Sequence, residues 1–150
     1  MTDNYGNYFC SVLISYLQSH QRYSFLQQIK GQEFVDISCN NRGTYVLQTI
    51  IEAVTQDEEY EIIKENLLEN NNICKLAMDK EGEHLILKII TTFPEERRDY
   101  LFKVICDNFQ QLATDKQGLC VMKKLIEFTK NPESQKTIVQ KIGENPLLYV

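Results

Sequence analysis

The chain lacks the features of a membrane, secreted or metal-binding protein. No apolar run approaches the ~18 residues of a membrane span, and residues 1–6 have neither the basic region nor the hydrophobic stretch of a signal peptide. The five cysteines include no CxxC pair and mostly fall at apolar positions, as reduced thiols in a cytoplasmic protein do. His20 and His84 have no cysteine or carboxylate at metal-ligand spacing. We expect a cytoplasmic protein without membrane contact or metal.

Catalytic motifs are also missing. The sequence has no phosphate loop, nucleophile elbow or pair of catalytic carboxylates. Cys120 and His84 are the residue types of a nucleophile and its base, but nothing beyond their presence supports that role. We therefore expect neither an enzyme nor a cofactor.

What the sequence does have is a repeat. Four glycines, Gly6, Gly43, Gly82 and Gly118, follow one another at spacings of 37, 39 and 36 residues. Apolar residues recur three, four, seven and eight positions after each glycine, which traces one face of an amphipathic helix. The residues three positions after the glycines are Phe9, Val46, Leu85 and Val121, and we expect them to be buried at equivalent places. The glycines are expected to allow a tight corner with positive φ.

Further apolar residues lie six and nine positions before the last three glycines and 20 after each glycine, so the unit has three helices. Pro94 and Pro132 fit the first turn of a third helix. We predict one all-α domain over residues 1–150, a solenoid with segments at about 1–31, 32–70, 71–106 and 107–143 and the start of another at 144–150. Incomplete end units predict exposed apolar residues and self-association, with Phe9, Leu13, Leu147 and Leu148 partly uncovered.

Four stretches around the glycines resemble the second helices of Pumilio (PUF) repeats, whose period also matches. They are Asn4-Tyr5-Gly6-Asn7-Tyr8, Asn41-Arg42-Gly43-Thr44-Tyr45-Val46-Leu47-Gln48, Lys80-Glu81-Gly82-Glu83-His84 and Lys116-Gln117-Gly118-Leu119-Cys120-Val121-Met122. Armadillo and HEAT units, the alternatives, run longer and lack this glycine-polar-aromatic opening.

The resemblance implies a right-handed superhelical crescent whose concave face, built from the second helices, binds single-stranded RNA at one base per repeat. Positions one and five after the glycine are i and i+4 on a helix, so both side chains can reach one base edge, while position two can stack on the base. The sets are Asn7, Tyr8 and Ser11; Thr44, Tyr45 and Gln48; Glu83, His84 and Leu87; and Leu119, Cys120 and Lys123.

The four sets are unequal. Tyr8 and Tyr45 can stack on bases, although aromatics on a helix also pack between repeats. Thr44 with Gln48 resembles the family's adenine-reading combination, or less well its uracil-reading one. Asn7 fits uracil, but Ser11 replaces the expected glutamine. In the third set Glu83 repels phosphate and Leu87 cannot hydrogen-bond, although His84 can stack. In the fourth, only Lys123 can contact RNA, without much discrimination.

Charge gives RNA binding little support, since 16 basic residues face 21 acidic ones. The acidic runs, with Glu58, Glu59, Glu61 and Glu65 in one and Glu95 and Glu96 beside Arg97 and Arg98 in the other, are expected to be solvated outer faces. Two functions stay open. One is an RNA-binding regulator of translation or decay that binds mRNA 3′ untranslated regions. The other is a divergent PUF-repeat scaffold with little RNA binding, whose weakened concave face or acidic convex face binds a partner protein.

Overall fold

A computed structural model describes residues 4–144, except for the side chains of Asn4 and Asn7. Within this range every regular element is helical. The α-helices are α1 (Asn4–Tyr16), α2 (Ser19–Gln28), α3 (Gln32–Ser38), α4 (Gly43–Ala53), α5 (Asp57–Leu68), α6 (Asn72–Ala77), α7 (Gly82–Thr92), α8 (Asp99–Asp107), α9 (Phe109–Ala113), α10 (Lys116–Phe128) and α11 (Pro132–Glu144). Two short 3-10 turns, Glu69–Asn71 and Glu95–Arg97, precede α6 and α8.

These helices form the predicted solenoid. The second helix of each unit packs on the second helix of the next, so α1, α4, α7 and α10 stand side by side. The short helices α3, α6 and α9 precede them, and α2, α5, α8 and α11 follow them as third helices. We call the exposed side of α1, α4, α7 and α10 the second-helix face. The repeat thus places equivalent residues of successive units next to one another.

The apolar positions three residues after the glycines belong to the core in three of the four units. Val46, Leu85 and Val121 are completely buried, which confirms the prediction for three of the four units. Phe9 is 65% exposed, so the prediction of equivalent burial is wrong there. The reason is that α1 packs on α4 with one flank, while Phe9 and Leu13 lie uncovered on the other, as expected for the end of the array. Leu147 and Leu148 are outside the described residues.

The repeated glycines are needed for close packing and not for a left-handed backbone. Among the described glycines only Gly31 has a positive φ, of 74°, so the prediction of positive φ at the repeated glycines is wrong. A Cβ on Gly43 would lie 2.7 Å from the carbonyl oxygen of Ile37. A Cβ on Gly118 would lie 2.6 Å from the carbonyl oxygen of Leu112. The second helix therefore begins against the backbone of the preceding short helix, where only glycine fits.

The two prolines behave differently. Pro132 is the first residue of α11, where its missing N–H costs nothing, as predicted. The same prediction is wrong for Pro94, because a 3-10 turn follows it and α8 begins only at Asp99. In this turn the N–H of Arg97 donates to the carbonyl of Pro94 three residues back, which is the tighter 3-10 pattern. Arg98, with φ −122° and ψ 18°, separates the turn from α8.

In the part of the chain that the structure describes, no helix is both long and apolar enough to cross a bilayer. The cysteines are free thiols, and Cys74 and Cys106 are buried while Cys120 is exposed. Burial raises the pKa of the Cys106 thiol to about 11, so this cysteine is protonated at neutral pH and serves the core as a small apolar side chain.

Candidate nucleic-acid interface

In the second, third and fourth units, one short side chain fixes the start of the second helix. The Oδ1 atoms of Asn40, Asp79 and Asp115 accept hydrogen bonds from the backbone N–H groups of the glycines three residues later, at 2.9, 2.7 and 2.8 Å. Such bonds satisfy N–H groups that the first helical turn leaves without partners. Since the same bond recurs in three units, positions one, two and five after the glycine recur at the same place on each helix.

The second unit presents the most complete candidate set. Tyr45 is 59% exposed, so it does not pack between repeats. The Gln48 Nε2 donates a hydrogen bond to the Thr44 hydroxyl at 3.3 Å. A glutamine amide has two hydrogens and a carbonyl oxygen, so Gln48 keeps a donor and an acceptor for a base edge. The exposed ring and this amide lie on the same helix, α4.

Thr44 is buried, although its position directly after Gly43 predicts contact with a base. Its side chain is only 1% exposed, and its hydroxyl lies 3.5 Å from the carbonyl oxygen of Glu81 in the next unit. Its observed role is to orient Gln48 and to link α4 to the turn before α7. Contact between Thr44 and a base stays a prediction, and it requires this covered side chain to become accessible.

The first unit shares the exposed aromatic ring. Tyr8 is 74% exposed on α1. Ser11 is half-buried on the same helix. Asn7 lies on α1, but its side chain is outside the described part of the chain, and its pairing with uracil stays a prediction. Because α1 packs beside α4, the helices that carry Tyr8 and Tyr45 are neighbours.

In the third unit Glu83 places a carboxylate one position after the glycine, where the second unit has the small Thr44. One carboxylate oxygen of Glu83, Oε2, is buried without a hydrogen-bond partner. Burial raises the pKa of Glu83, Asp115 adds to this effect, and the nearby His84 opposes it. His84 is exposed, whereas Leu87 is half-buried against the core. This unit offers one aromatic ring and a carboxyl group that is poorly solvated.

In the fourth unit the reader positions are largely apolar. Leu119 and Cys120 are exposed, and neither supplies a ring or a strong hydrogen-bonding group. Lys123 is exposed on the same helix and is the one cation among these three positions. A lysine can neutralise a phosphate but carries little sequence information. The second-helix face thus changes from aromatic and amide groups in α1 and α4 to apolar groups in α10.

An internal ion pair lies among the third helices, and sequence reasoning missed it. Arg22 on α2 donates from Nε to Glu59 Oε1 at 2.6 Å and from Nη2 to Glu59 Oε2 at 3.2 Å. Glu59 is completely buried and also accepts the backbone N–H groups of Thr55 and Gln56, both at 3.1 Å. The prediction of a solvated outer face is therefore wrong for Glu59.

The acidic run around Glu59 agrees better with that prediction, since Glu58, Glu61 and Glu65 are exposed. Arg98 in the second run is buried, against the prediction. The sequence contains a signal for these buried charges. Arg22, Glu59 and Arg98 each stand 16 positions after the glycine of their unit. The pattern of apolar residues does not reveal this recurrence, because the three residues are charged.

No group of three or more histidine, cysteine, aspartate or glutamate side chains within residues 4–144 has the arrangement of a metal site. What the second-helix face offers is a row of exposed rings, an amide and a lysine. Such groups can stack on bases, pair with base edges and neutralise phosphates.

Comparison with known proteins identifies the family of this solenoid. Residues 33–65, 72–106 and 108–142 each match the Pumilio-family RNA binding repeat. The chain belongs to the Pumilio family.

Relatives match along the whole chain. A Pumilio domain-containing protein of Schizosaccharomyces pombe is 31% identical over 150 residues, which is 100% of this chain and 21% of that protein. Pumilio homolog 11 of Arabidopsis thaliana is 29% identical over 98% of this chain and 26% of its own length. The chain therefore spans about a fifth to a quarter of these relatives.

Solved structures have the same fold. The Puf4 RNA binding domain bound to a 3′ UTR recognition sequence of HO endonuclease RNA superimposes with a TM-score of 0.86 at 30% identity, over 95% of this chain and 43% of that one. The RNA-binding domain of yeast Puf5p bound to SMX2 RNA gives a TM-score of 0.84 at 27% identity, over 98% of this chain and 42% of that one.

Proposed function

We propose that this protein binds single-stranded RNA along its second-helix face and acts in the cytoplasm on mRNA 3′ untranslated regions, where it regulates translation or decay. The observation that carries this proposal is the exposure of Tyr8 and Tyr45 on the neighbouring helices α1 and α4. Both rings are free to stack on bases, and a base stacked on an aromatic ring contributes ~1–3 kcal/mol.

The solved relatives support the same surface chemistry. The Puf4 and Puf5p domains were solved with RNA bound, and this chain shares their fold over nearly its whole length. The proposal treats residues 1–150 as one domain of that type. The chain spans less than half of each of those two domains.

Each unit has a specific proposed contribution. Tyr8 and Tyr45 stack on successive bases, while Asn7 and Gln48 pair with their edges and Ser11 and Thr44 flank them. His84 stacks on a third base, beside a Glu83 carboxyl that does not favour phosphate and a Leu87 that does not pair. Lys123 neutralises a phosphate. Sequence selectivity is thus concentrated at Gln48 and, less completely, in the first unit.

A scaffold function is the second candidate, and the fourth unit favours it. Leu119 and Cys120 expose apolar surface at the base-reading positions, which suits a protein contact better than a base. The uncovered flank of α1, with Phe9, Leu13 and Tyr16 exposed, favours self-association through that end. Both contacts are compatible with RNA binding by α1 and α4.

RNA selection followed by two substitutions tests the proposal. The chain is incubated at low salt with a random pool of single-stranded RNA, and the selected sequence is used to measure Kd. Tyr45→Ala should weaken binding by ~1–3 kcal/mol, or about 5- to 150-fold, without changing the preferred base. Gln48→Glu should change the preference at one nucleotide, because a carboxylate only accepts hydrogen bonds.

Tyr16→Ala is the matched control. Tyr16 is an exposed tyrosine on α1 that stands outside positions one, two and five. Its removal should leave the Kd for RNA within about twofold of the parent value. If the parent selects no RNA at low salt, or if Tyr45→Ala behaves as Tyr16→Ala does, the scaffold function replaces RNA binding.

A further inference from the structure

Arg98 is a buried arginine beside α8 and α11. It lacks the carboxylate partner that Arg22, the equivalent arginine of the first unit, has in Glu59. Arg98, just before α8, is 4% exposed, and its Nη2 donates to the carbonyl oxygen of Phe128 at 2.8 Å. Its Nε is buried and makes no hydrogen bond. Burial lowers the pKa of Arg98, and the charges of Glu95 and Glu96 oppose this effect without accepting a hydrogen bond from Nε. A guanidinium in this position retains unused capacity for an acceptor.

The same chain shows what such a guanidinium binds. Arg22 and Arg98 both stand 16 positions after the repeated glycine of their units. In the unit after that of Arg22, the residue 16 positions after the glycine is Glu59. It binds the Arg22 guanidinium with both carboxylate oxygens. The corresponding residue for Arg98 is Ser134, which is too short to provide a carboxylate. The fourth unit therefore lacks the acceptor that the second unit supplies.

The missing carboxylate coincides with a cleft. A cleft of about 350 Å³ lies between α8 and α11, and Arg98 and Ser134 both line it. The cleft at the corresponding place between α2 and α5, which Glu59 lines, is smaller, at about 250 Å³. Glu95 borders the larger cleft, but its Oε1 accepts the backbone N–H groups of Lys130 and Asn131, both at 3.2 Å. Glu95 thus holds the turn before α11.

The geometry points to a docking site in which the Arg98 guanidinium receives one aspartate or glutamate side chain of a protein partner, inserted between α8 and α11. The carboxylate takes the place that Glu59 has beside Arg22. Bidentate binding of a carboxylate by arginine is among the stronger polar contacts, and its geometry is selective.

The rim of the cleft restricts the partner further. Glu95, Glu96 and Asp99 line the opening, so a chain of phosphates would be repelled. A peptide whose acidic residue is flanked by lysine or arginine complements both the guanidinium and the rim. The groups used here lie outside the proposed base-reading positions, so this site does not depend on RNA binding.

Arginine side-chain NMR of the whole chain tests the site directly. The ¹⁵Nε–¹Hε signal of Arg98 is assigned by its loss in Arg98→Lys, which keeps the charge but removes the planar fork. Two capped tripeptides serve as probes, acetyl-Lys-Glu-Lys-amide and its neutral match acetyl-Lys-Gln-Lys-amide. We expect the glutamate peptide alone to shift the Arg98 signal in a saturable titration.

A substitution that fills the site from within provides the second measurement. Ser134→Glu supplies the missing carboxylate from α11, and Ser134→Gln is its neutral match of similar size. Ser134→Glu should raise the Tm above that of Ser134→Gln and weaken the glutamate peptide about tenfold relative to it. Both variants keep Arg98 and differ only in the charge at position 134, so a difference in their peptide affinity does not arise from unfolding.

Four results would overturn the carboxylate site. They are equal shifts from the two peptides, an equal response to inorganic phosphate, displacement of the peptide by a single-stranded RNA, and equal peptide affinity and Tm in the two Ser134 variants. Equal shifts or a phosphate response would show that Arg98 does not select a carboxylate, and displacement by RNA would assign the cleft to nucleic acid.

Discussion

The first two units and the last two have the same helices but different polar groups at the same positions. On α1 and α4 the second-helix face carries exposed Tyr8 and Tyr45 and the amide of Gln48. On α7 the equivalent positions hold His84 and Leu87, and on α10 they hold Cys120 and Lys123. Beneath this face Val46, Leu85 and Val121 are equally buried in α4, α7 and α10, so their packing does not depend on the exposed residues. The repeat maintains the fold while its exposed positions vary freely.

The third helices show the same contrast. Between α2 and α5 the guanidinium of Arg22 is matched by the carboxylate of Glu59, whereas Arg98 faces Ser134 across an open cleft. A buried charge with its partner is part of the fold, and a buried charge without one is available to a ligand. Among the described residues, the buried side-chain atoms without a hydrogen-bond partner, on Glu83, Arg98 and Tyr100, all lie in the third unit.

The largest expected effect comes from breaking the complete pair. Glu59→Ala should lower the free energy of unfolding by about 3–5 kcal/mol, because it leaves the buried Arg22 charge without a partner. It also removes the acceptor for two backbone N–H groups at the start of α5. Urea denaturation measures the loss. Glu58→Ala, at an exposed neighbour, should change stability by less than about 0.5 kcal/mol. Similar losses in both variants would contradict the assigned role of the pair.

Substitution of two glycines by alanine compares a crowded site with an open one. Gly118→Ala places a methyl group 2.6 Å from the carbonyl oxygen of Leu112, and should destabilise the protein by about 1–3 kcal/mol. Gly143→Ala lies within α11 with no atom within 4 Å of the added methyl, and should stabilise by about 0.4–1 kcal/mol. Thermal unfolding of both variants measures the difference. Stabilisation by Gly118→Ala would show that close packing does not explain the repeated glycine.

A smaller effect is expected at Glu83. Because burial raises its pKa, this carboxyl gains its negative charge as the pH rises through that elevated value, and RNA binding should weaken over the same range. Glu83→Gln should remove this pH dependence and strengthen binding modestly at neutral pH, more at low salt than at high salt. Kd measured against pH for both proteins is the test. An unchanged pH profile in Glu83→Gln would assign the dependence to another group.

The solenoid could be predicted from sequence because its determinants are local and repeated. Glycine spacing and the apolar offsets predicted the burial of Val46, Leu85 and Val121. The reason for the glycines was not predictable, because it is a contact between Gly118 and Leu112 whose distance no spacing reveals. The predicted helix start is confirmed at Pro132 but is wrong at Pro94, where a 3-10 turn intervenes.

The candidate site was predictable in position but not in environment. Sequence placed Tyr45 and Gln48 on one face, but only the structure shows that Thr44 is covered and bonded to Gln48. Glu59 and Arg98 were expected in solvated runs, because a charge run does not indicate which member points inward. Pairing across units depends on the third-helix packing that brings α2 against α5.

The contrast between the two halves of the second-helix face is tested most directly by a base-by-base affinity scan. The parent chain is bound to its selected RNA, and each nucleotide is replaced in turn by the other three bases. Our account predicts the greatest discrimination, about 1–3 kcal/mol, at the nucleotide whose preference changes in Gln48→Glu, with little at those facing α7 and α10. Discrimination that is equal at all positions, or greatest opposite Leu87 or Leu119, would contradict the account.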